Sequence, residues 1–164
     1  MNSFDALKRL RQRPAGNPVM RQSWQQLLFL HWRFDPALVQ KTLPRGLQVD
    51  TFDNSAWLGV VPFFMRQVRP VGLPAMPILS NFLELNVRTY VHDGRDAGVW
   101  FYSLDCNQPL AVEVARRFFK LRYVHARMHA ERVGSQIRYR SQPSGSRTEF
   151  FRYSTTEHGL CEAS

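Results

Sequence analysis

Lysine is almost absent from this 164-residue chain: of its 22 basic residues only Lys8, Lys41 and Lys120 are lysine. Cysteine is just as scarce. Cys106 and Cys161 stand far apart, outside any CxxC or cysteine–histidine spacing, so neither a disulfide framework nor a structural zinc is expected. No apolar run reaches the roughly 18 residues of a membrane-spanning helix, and the mean hydropathy is −0.35. The opening MNSFDALKRLRQR is charged and has no apolar stretch of signal-peptide type, so a cytoplasmic protein without membrane partners is expected. Neither a GxSxG elbow nor a phosphate-binding glycine loop occurs, which removes serine-hydrolase chemistry and nucleotide hydrolysis.

What is present is enough apolar material, 44% of residues and 13% aromatic, for one globular domain with its own core. The formal net charge of +9 asks for an anionic partner. Arginine's planar fork suits carboxylate or phosphate, so a small acidic molecule and nucleic acid are both candidates. The bases are spread along the chain, however, as on an ordinary solvated surface, and arginine enrichment also follows from a GC-rich genome. Nucleic acid is therefore the less favoured partner.

Residues 1–22 read as a basic arm, with a short helix over 3–12 that Pro14, Gly16 and Pro18 break. Ser23 to Phe34 is dense in aromatic and aliphatic residues and predicts one mostly buried strand. Asp35-Pro36 supplies an N-cap and a first helical proline for a helix through about Thr42. A short strand over 48–52, a turn at Asp53-Asn54 and a buried strand over 56–65 follow, with Pro62 marking a bulge or an edge. Residues 70–80 form a proline-rich loop. Phe82 to His92, Asp93-Gly94 and Ala97 to Asp105 make the clearest hairpin. A helix from Pro109 to about Lys120 carries Val112, Ala115 and Phe119 on its apolar face, and Glu113 can pair with Arg117. A second hairpin runs over 122–133 and 137–140. Residues 141–164 are a polar tail in which no element is predicted. The folded domain is placed at 23–140, and its class is α+β, mostly antiparallel sheet with few short helices.

Strand alternation puts Glu84, Asn86, Arg88 and Tyr90 on one face of the first hairpin and Leu83, Leu85 and Val87 on the other. Pairing Tyr90 with either residue 97 or 99 places Phe101, Ser103 and Asp105 on the Glu84 face. In the second hairpin Tyr123, His125, Arg127 and His129 oppose Val124, Ala126 and Met128. These two polar faces either meet water or line a cavity inside a curved sheet. Were Glu84 and Asp105 to approach one another there, both could not ionise cheaply and one would serve as a general acid unless Arg88 compensated. His125 and His129 lie about 13 Å apart on a strand and cannot share a metal unaided. No cofactor or metal is expected.

Several stretches resemble the YqjF-like bacterial domain of unknown function, a relative in fold of acetoacetate decarboxylase. They are Trp24 to Trp32 (WQQLLFLHW), Leu43 to Leu47 (LPRGL), Trp57 to Phe63 (WLGVVPF), Glu84 to Val91 (ELNVRTYV), Phe101 to Asp105 (FYSLD), and Ala115-Arg116 before Tyr123. The resemblance implies a curved or barrel-like sheet around a small-molecule cavity, and it places the polar faces inside. In the decarboxylase a helix ending in glycine leads to a strand whose lysine forms a Schiff base. Carried over, the glycine falls on Lys120 and the lysine on Tyr123, which cannot form an imine. Glu84 is similar to the decarboxylase's cavity glutamate. Relatives continue well past Ser141, so the closing strands are expected to be missing or altered. The expected function is thus a small-molecule-binding or enzymatic domain for an acidic ligand, without imine catalysis, with Glu84, Arg88, Ser103, Asp105, Tyr123 and His125 as ligand-binding candidates. The alternatives are a nucleic-acid-binding module using Arg9, Arg11, Arg13, Arg116 and Arg117, or an inactive truncated relative.

Overall fold

The computed structural model describes residues 16–76 and 79–154. The helix expected over 3–12, the arginines of the basic arm before residue 16, and Cys161 lie outside the described residues. Among those residues the elements are β1 (Met20–Gln25), β2 (Leu30–Phe34), α1 (Pro36–Gln40), β3 (Gln48–Val49), β4 (Ala56–Pro70), β5 (Phe82–His92), β6 (Ala97–Cys106), α2 (Pro109–Phe119), β7 (Tyr123–Val133), β8 (Gln136–Pro143) and β9 (Glu149–Ser154). They build one sheet in the order β1-β4-β5-β6-β7-β8-β9, with β2 also beside β4 and β3 beside β5. The sheet is mostly antiparallel and curls into a half-barrel with two short helices, as its class predicts. The exception is β6 with β7, a parallel pair joined through α2, because parallel neighbours need a crossover rather than a hairpin.

Local chemistry explains most of the boundaries. The Asp35 side chain accepts from the Ala37 N–H at 2.7 Å and caps α1, with Pro36 at its first turn. The hairpin of β5 and β6 turns at the predicted Asp93-Gly94, where Gly94 has φ +93° and Asp93 Oδ1 accepts from the Arg95 and Asp96 N–H groups at 2.8 Å. Its register pairs Tyr90 with Val99.

The segment 23–34 differs from expectation. It is two strands rather than one buried strand, since Gln26 takes a left-handed φ of +52° and breaks the run. Both halves hydrogen-bond to the same outer side of β4, which leaves Trp24, Phe29 and Trp32 about half exposed. The break accounts for Pro62. Leu28 N–H donates to Pro62 O at 3.2 Å, so the proline nitrogen points into the gap between β1 and β2, where no ladder bond is lost.

The stretch after Ser141 also differs. β8 continues to Pro143, and the aromatic alternation of β9 (EFFRYS) adds Phe151 and Tyr153 to the core. Tyr153 Oη donates to Gln26 O at 2.7 Å, bringing the last strand against the break between the first two.

The core lies on both sides of β4 and β5. On one side Val61, Phe63, Met65, Phe82 and Cys106 pack against Val112 of α2. On the other, Phe64, Leu83 and Leu85 meet Ile137 and Tyr139 of β8. The Tyr139 hydroxyl donates to the backbone carbonyls of Glu84 at 2.8 Å and Phe63 at 3.3 Å. Arg116 donates from Nε to Tyr123 O at 2.6 Å and ties α2 to β7. The expected Glu113–Arg117 pair is not among the ion pairs of the described residues, which are Arg33–Asp53 and Arg138–Glu131. The Phe119 side chain lies outside the described ones.

α2 ends on Lys120 in a left-handed conformation, φ +52° and ψ 29°, at the position where the resemblance puts a glycine. A side chain there is strained while glycine is not. Lys120→Gly should therefore raise stability by about 0.5–1 kcal/mol, net of the freedom glycine adds to the unfolded chain. Thermal unfolding would show this as a gain of roughly 1–4 °C, and an unchanged or lower midpoint would refute it.

Candidate functional site

One face of β5 carries Phe82, Glu84, Asn86, Arg88 and Tyr90, as alternation dictates. Opposite them on β4 stand Met65, Phe63, Val61, Gly59 and Trp57, by the register of the pair and its continuation. On β6 the alternation is interrupted. Arg88 faces Phe101 but Val87 faces Ser103, so Tyr102 is an extra residue. This bulge reverses the parity of everything beyond it.

The expected shared face is corrected accordingly. Leu104 and Cys106 lie on the Glu84 side, while Ser103 and Asp105 turn to the Leu85 side. There they form a closed polar group: Ser103 Oγ donates to Asp105 Oδ1 at 2.7 Å and Ser141 Oγ to Asp105 Oδ2 at 3.3 Å. Burial raises the Asp105 carboxyl above its usual range, against those two hydrogen bonds. Glu84 and Asp105 thus do not share a proton, and each is shifted by its own surroundings. The sheet separates them.

Tyr123 follows the parallel pairing of Leu104 with it and reaches the Glu84 side. Its hydroxyl donates to Glu84 Oε2 at 2.9 Å, linking two of the candidates across 39 residues of chain. His125 does not join them. It is exposed two residues along β7 and borders a separate polar recess with Arg127, Gln142 and Ser144. Arg88 shares the Glu84 face, but its guanidinium lies over the rings of Phe29 and Tyr90, with Cζ 5.4 Å and 5.8 Å from their centroids.

Glu84 and Tyr123 line a cleft of about 300 Å3 between the sheet, β1 and α2. Trp24, Phe82, Phe101, Leu104 and Val114 make its walls largely apolar. Asn86, also on its lining and only 3% exposed, keeps an Oδ1 with no hydrogen-bond partner among the described residues. A buried acceptor left open is costly unless something outside the chain donates to it. Asn86 was legible from alternation as a neighbour of Glu84, whereas the β1 and α2 walls had no local signal.

The electrostatics of the cleft favour protonated groups. Burial pushes Glu84 from 4.5 up to about 7, against hydrogen bonds from Tyr123 and Asn86. Burial, and then the Glu84 charge, push the Tyr123 phenol above its ordinary value, so it remains a donor. The Cys106 thiol, pushed up to about 12 by burial, is not a nucleophile at neutral pH. No group of three or more His, Cys, Asp or Glu suited to a metal occurs among the described residues. No helix among them is long and apolar enough to cross a membrane.

A carboxyl raised in the folded state destabilises folding when it ionises. Stability is therefore undiminished below about pH 4.5 and is lost as pH rises from there through about 7, on the order of 3 kcal/mol if Glu84 acts alone. Glu84→Gln keeps the shape and an acceptor for Tyr123, and it should remove that slope. Urea midpoints of parent and variant at pH 5 and pH 8 test this: parallel losses in both would mean that Glu84 ionises as freely folded as unfolded.

Comparison with known proteins fits this geometry. A family described as uncharacterized conserved protein, DUF2071, matches residues 21–162. The uncharacterized protein YqjF of Bacillus subtilis (strain 168) is 38% identical over 138 residues, which are 84% of this chain and 57% of that protein. Among solved structures, an acetoacetate decarboxylase from Legionella pneumophila aligns with a TM-score of 0.69 at 12% identity, over 95% of this chain and 60% of that one. An acetoacetate decarboxylase-like enzyme from Sphingomonas wittichii RW1 aligns at 0.61 and 16% identity, over 79% and 55%. The enduracididine biosynthesis enzyme MppR, solved with the condensation product of pyruvate and imidazole 4-carboxaldehyde, aligns at 0.59 and 13%, over 79% and 53%. The chain spans less than two thirds of each of these proteins.

Proposed function

Because the chain belongs to the DUF2071 family of uncharacterized conserved proteins, whose fold it shares with acetoacetate decarboxylase-like enzymes, we propose that it binds a small, largely apolar molecule in the cleft over Glu84. The observation that carries this reading is the open acceptor of Asn86 beside the Tyr123–Glu84 hydrogen bond, inside apolar walls. Apolar walls supply affinity, and a few convergent polar groups orient the ligand. MppR, a neighbour in fold, holds pyruvate or its condensation product, which supports a small-molecule role without naming a ligand here.

The polar group of the ligand that enters the cleft is uncharged. None of the described residues lining the cleft is arginine or lysine, so the acidic group expected from the arginine count has no counter-ion there. Asn86 Oδ1 and a Glu84 carboxylate both accept, which calls for a hydroxyl or an amide N–H. With a carboxyl poised near neutrality, the cleft can also give or take one proton, the requirement for general acid–base work. Imine chemistry is not part of this reading. Tyr123 carries no amine, and Lys120 is exposed at the end of α2.

Cyclohexanol and hexanamide, titrated against the full chain by NMR, should perturb Tyr123 and Asn86. Tyr123→Phe should weaken both by up to about tenfold, the value of one hydrogen bond of about 0.5–1.5 kcal/mol. Tyr123→Lys should allow borohydride trapping of acetoacetate at residue 123, while the parent gives no adduct. Perturbation elsewhere than the cleft, or trapping of the parent at Lys120, would overturn the reading.

A further inference from the structure

Beyond the cleft, the same sheet face carries a second polar cluster, and we infer that its arginine, Arg88, is a carboxylate-recognising subsite for the far end of the ligand proposed above. His31 on β2, Gly59 on β4, Arg88 on β5 and Phe101 on β6 stand side by side in one row across four strands. Phe101 also lines the cleft, so the row adjoins it.

The row is built around an unpaired cation. Arg88 is partly buried, its Nε is sealed from water without a hydrogen-bond partner, and no ion pair among the described residues engages it. The rings of Phe29 and Tyr90 hold the guanidinium, an arrangement that fixes its donor fork without satisfying it. Gly59 makes room: a Cβ there would come within 3.1 Å of His31 Nε2 and 3.4 Å of Arg88 Cγ. His31 does not neutralise the charge. It shares a 2.7 Å hydrogen bond with the Tyr90 hydroxyl, and burial together with Arg88 lowers its pKa, which favours the neutral ring.

The chemistry of the missing partner follows from what surrounds the fork. A planar acceptor matches a guanidinium edge between two rings, and one unpaired charge balances one negative charge. Arg33, on the same face of β2, is already paired with Asp53 at 2.6 Å and so does not add a second free charge to this row. Asn86 lies two residues from Arg88, about 7 Å along the strand. A molecule with a carboxylate at one end, an apolar body along Phe101 and a hydroxyl or amide N–H at the other end would meet both, and a plain alkyl acid would meet Arg88 with its body in the cleft.

Hexanoate and hexanamide share that body and differ in charge. Titrated into the labelled full chain, hexanoate should bind about ten- to a hundredfold more tightly than hexanamide and should raise the His31 pKa read from its ring resonances. Arg88→Met should abolish both effects while leaving the hexanamide response at Tyr123 intact, and Arg88→Lys should keep only part of the preference. This inference rests on the cleft reading, and the two fail separately. Equal binding of acid and amide with His31 unmoved would overturn the subsite and leave the cleft. A His31 response with Tyr123 and Asn86 silent would keep the subsite and overturn the cleft, and silence at both would overturn both. An equal His31 response to inorganic phosphate at matched ionic strength would overturn the carboxylate assignment.

Discussion

Burial of β5 on both faces is the constraint from which the rest follows. A strand with core on one side and solvent on the other can send its polar residues outward at no cost. Here Leu83 and Leu85 enter the core closed by β8 and β9, and Glu84 and Asn86 enter the space under α2. Every polar atom on that second side must find a partner or remain a liability. Tyr123 answers for Glu84, whereas nothing described answers for the Asn86 oxygen. A carboxyl and an amide kept inside at such cost make this face, rather than the chain's many exposed arginines, the candidate for chemistry or recognition.

Much of the fold was legible because its signals are local. The Asp93-Gly94 turn, the Asp35-Pro36 cap and the alternation of Glu84 with Leu85 each depend on a few neighbouring residues, and each stands where sequence reasoning puts it. The bulge at Tyr102 does not. It needs only one extra residue, and no glycine or proline announces it, yet it carries Ser103 and Asp105 to the opposite side of the sheet. Two of the six ligand-binding candidates, Ser103 and Asp105, were misplaced by that single step. The division of the segment 23–34 was equally silent, since glutamine is an uncommon occupant of the left-handed region that interrupts it.

Long-range pairing set the remaining boundaries. The β9 segment reads as polar because Arg152 and Ser154 alternate with Phe151 and Tyr153, and the Tyr139 side of the sheet gives those aromatics somewhere to go. Tyr139, 1% exposed, sits on the carbonyls of Phe63 and Glu84 and so anchors β8 to the two central strands. The same hydroxyl touches the backbone of the residue whose side chain faces the cleft. Scaffold and candidate site are therefore held by one contact, and the backbone that carries the Glu84 carboxyl is fixed from the opposite side of the sheet.

The tyrosine at position 123 determines which chemistry such a scaffold can support. A lysine beside a buried carboxyl would make an ion pair, and the pair would hold the acid ionised. A phenol donates one hydrogen bond without supplying charge, so burial still dominates and Glu84 titrates near neutrality. Charge in this region comes instead from Arg88, four residues along the strand, roughly 13 Å away and behind the side chain of Phe29. The face thus separates what an amine would combine: a proton-handling carboxyl at one end and a fixed cation at the other. The two groups do not perturb one another strongly, because the apolar side chains of Val61 and Leu104 flank Asn86 in the row between them.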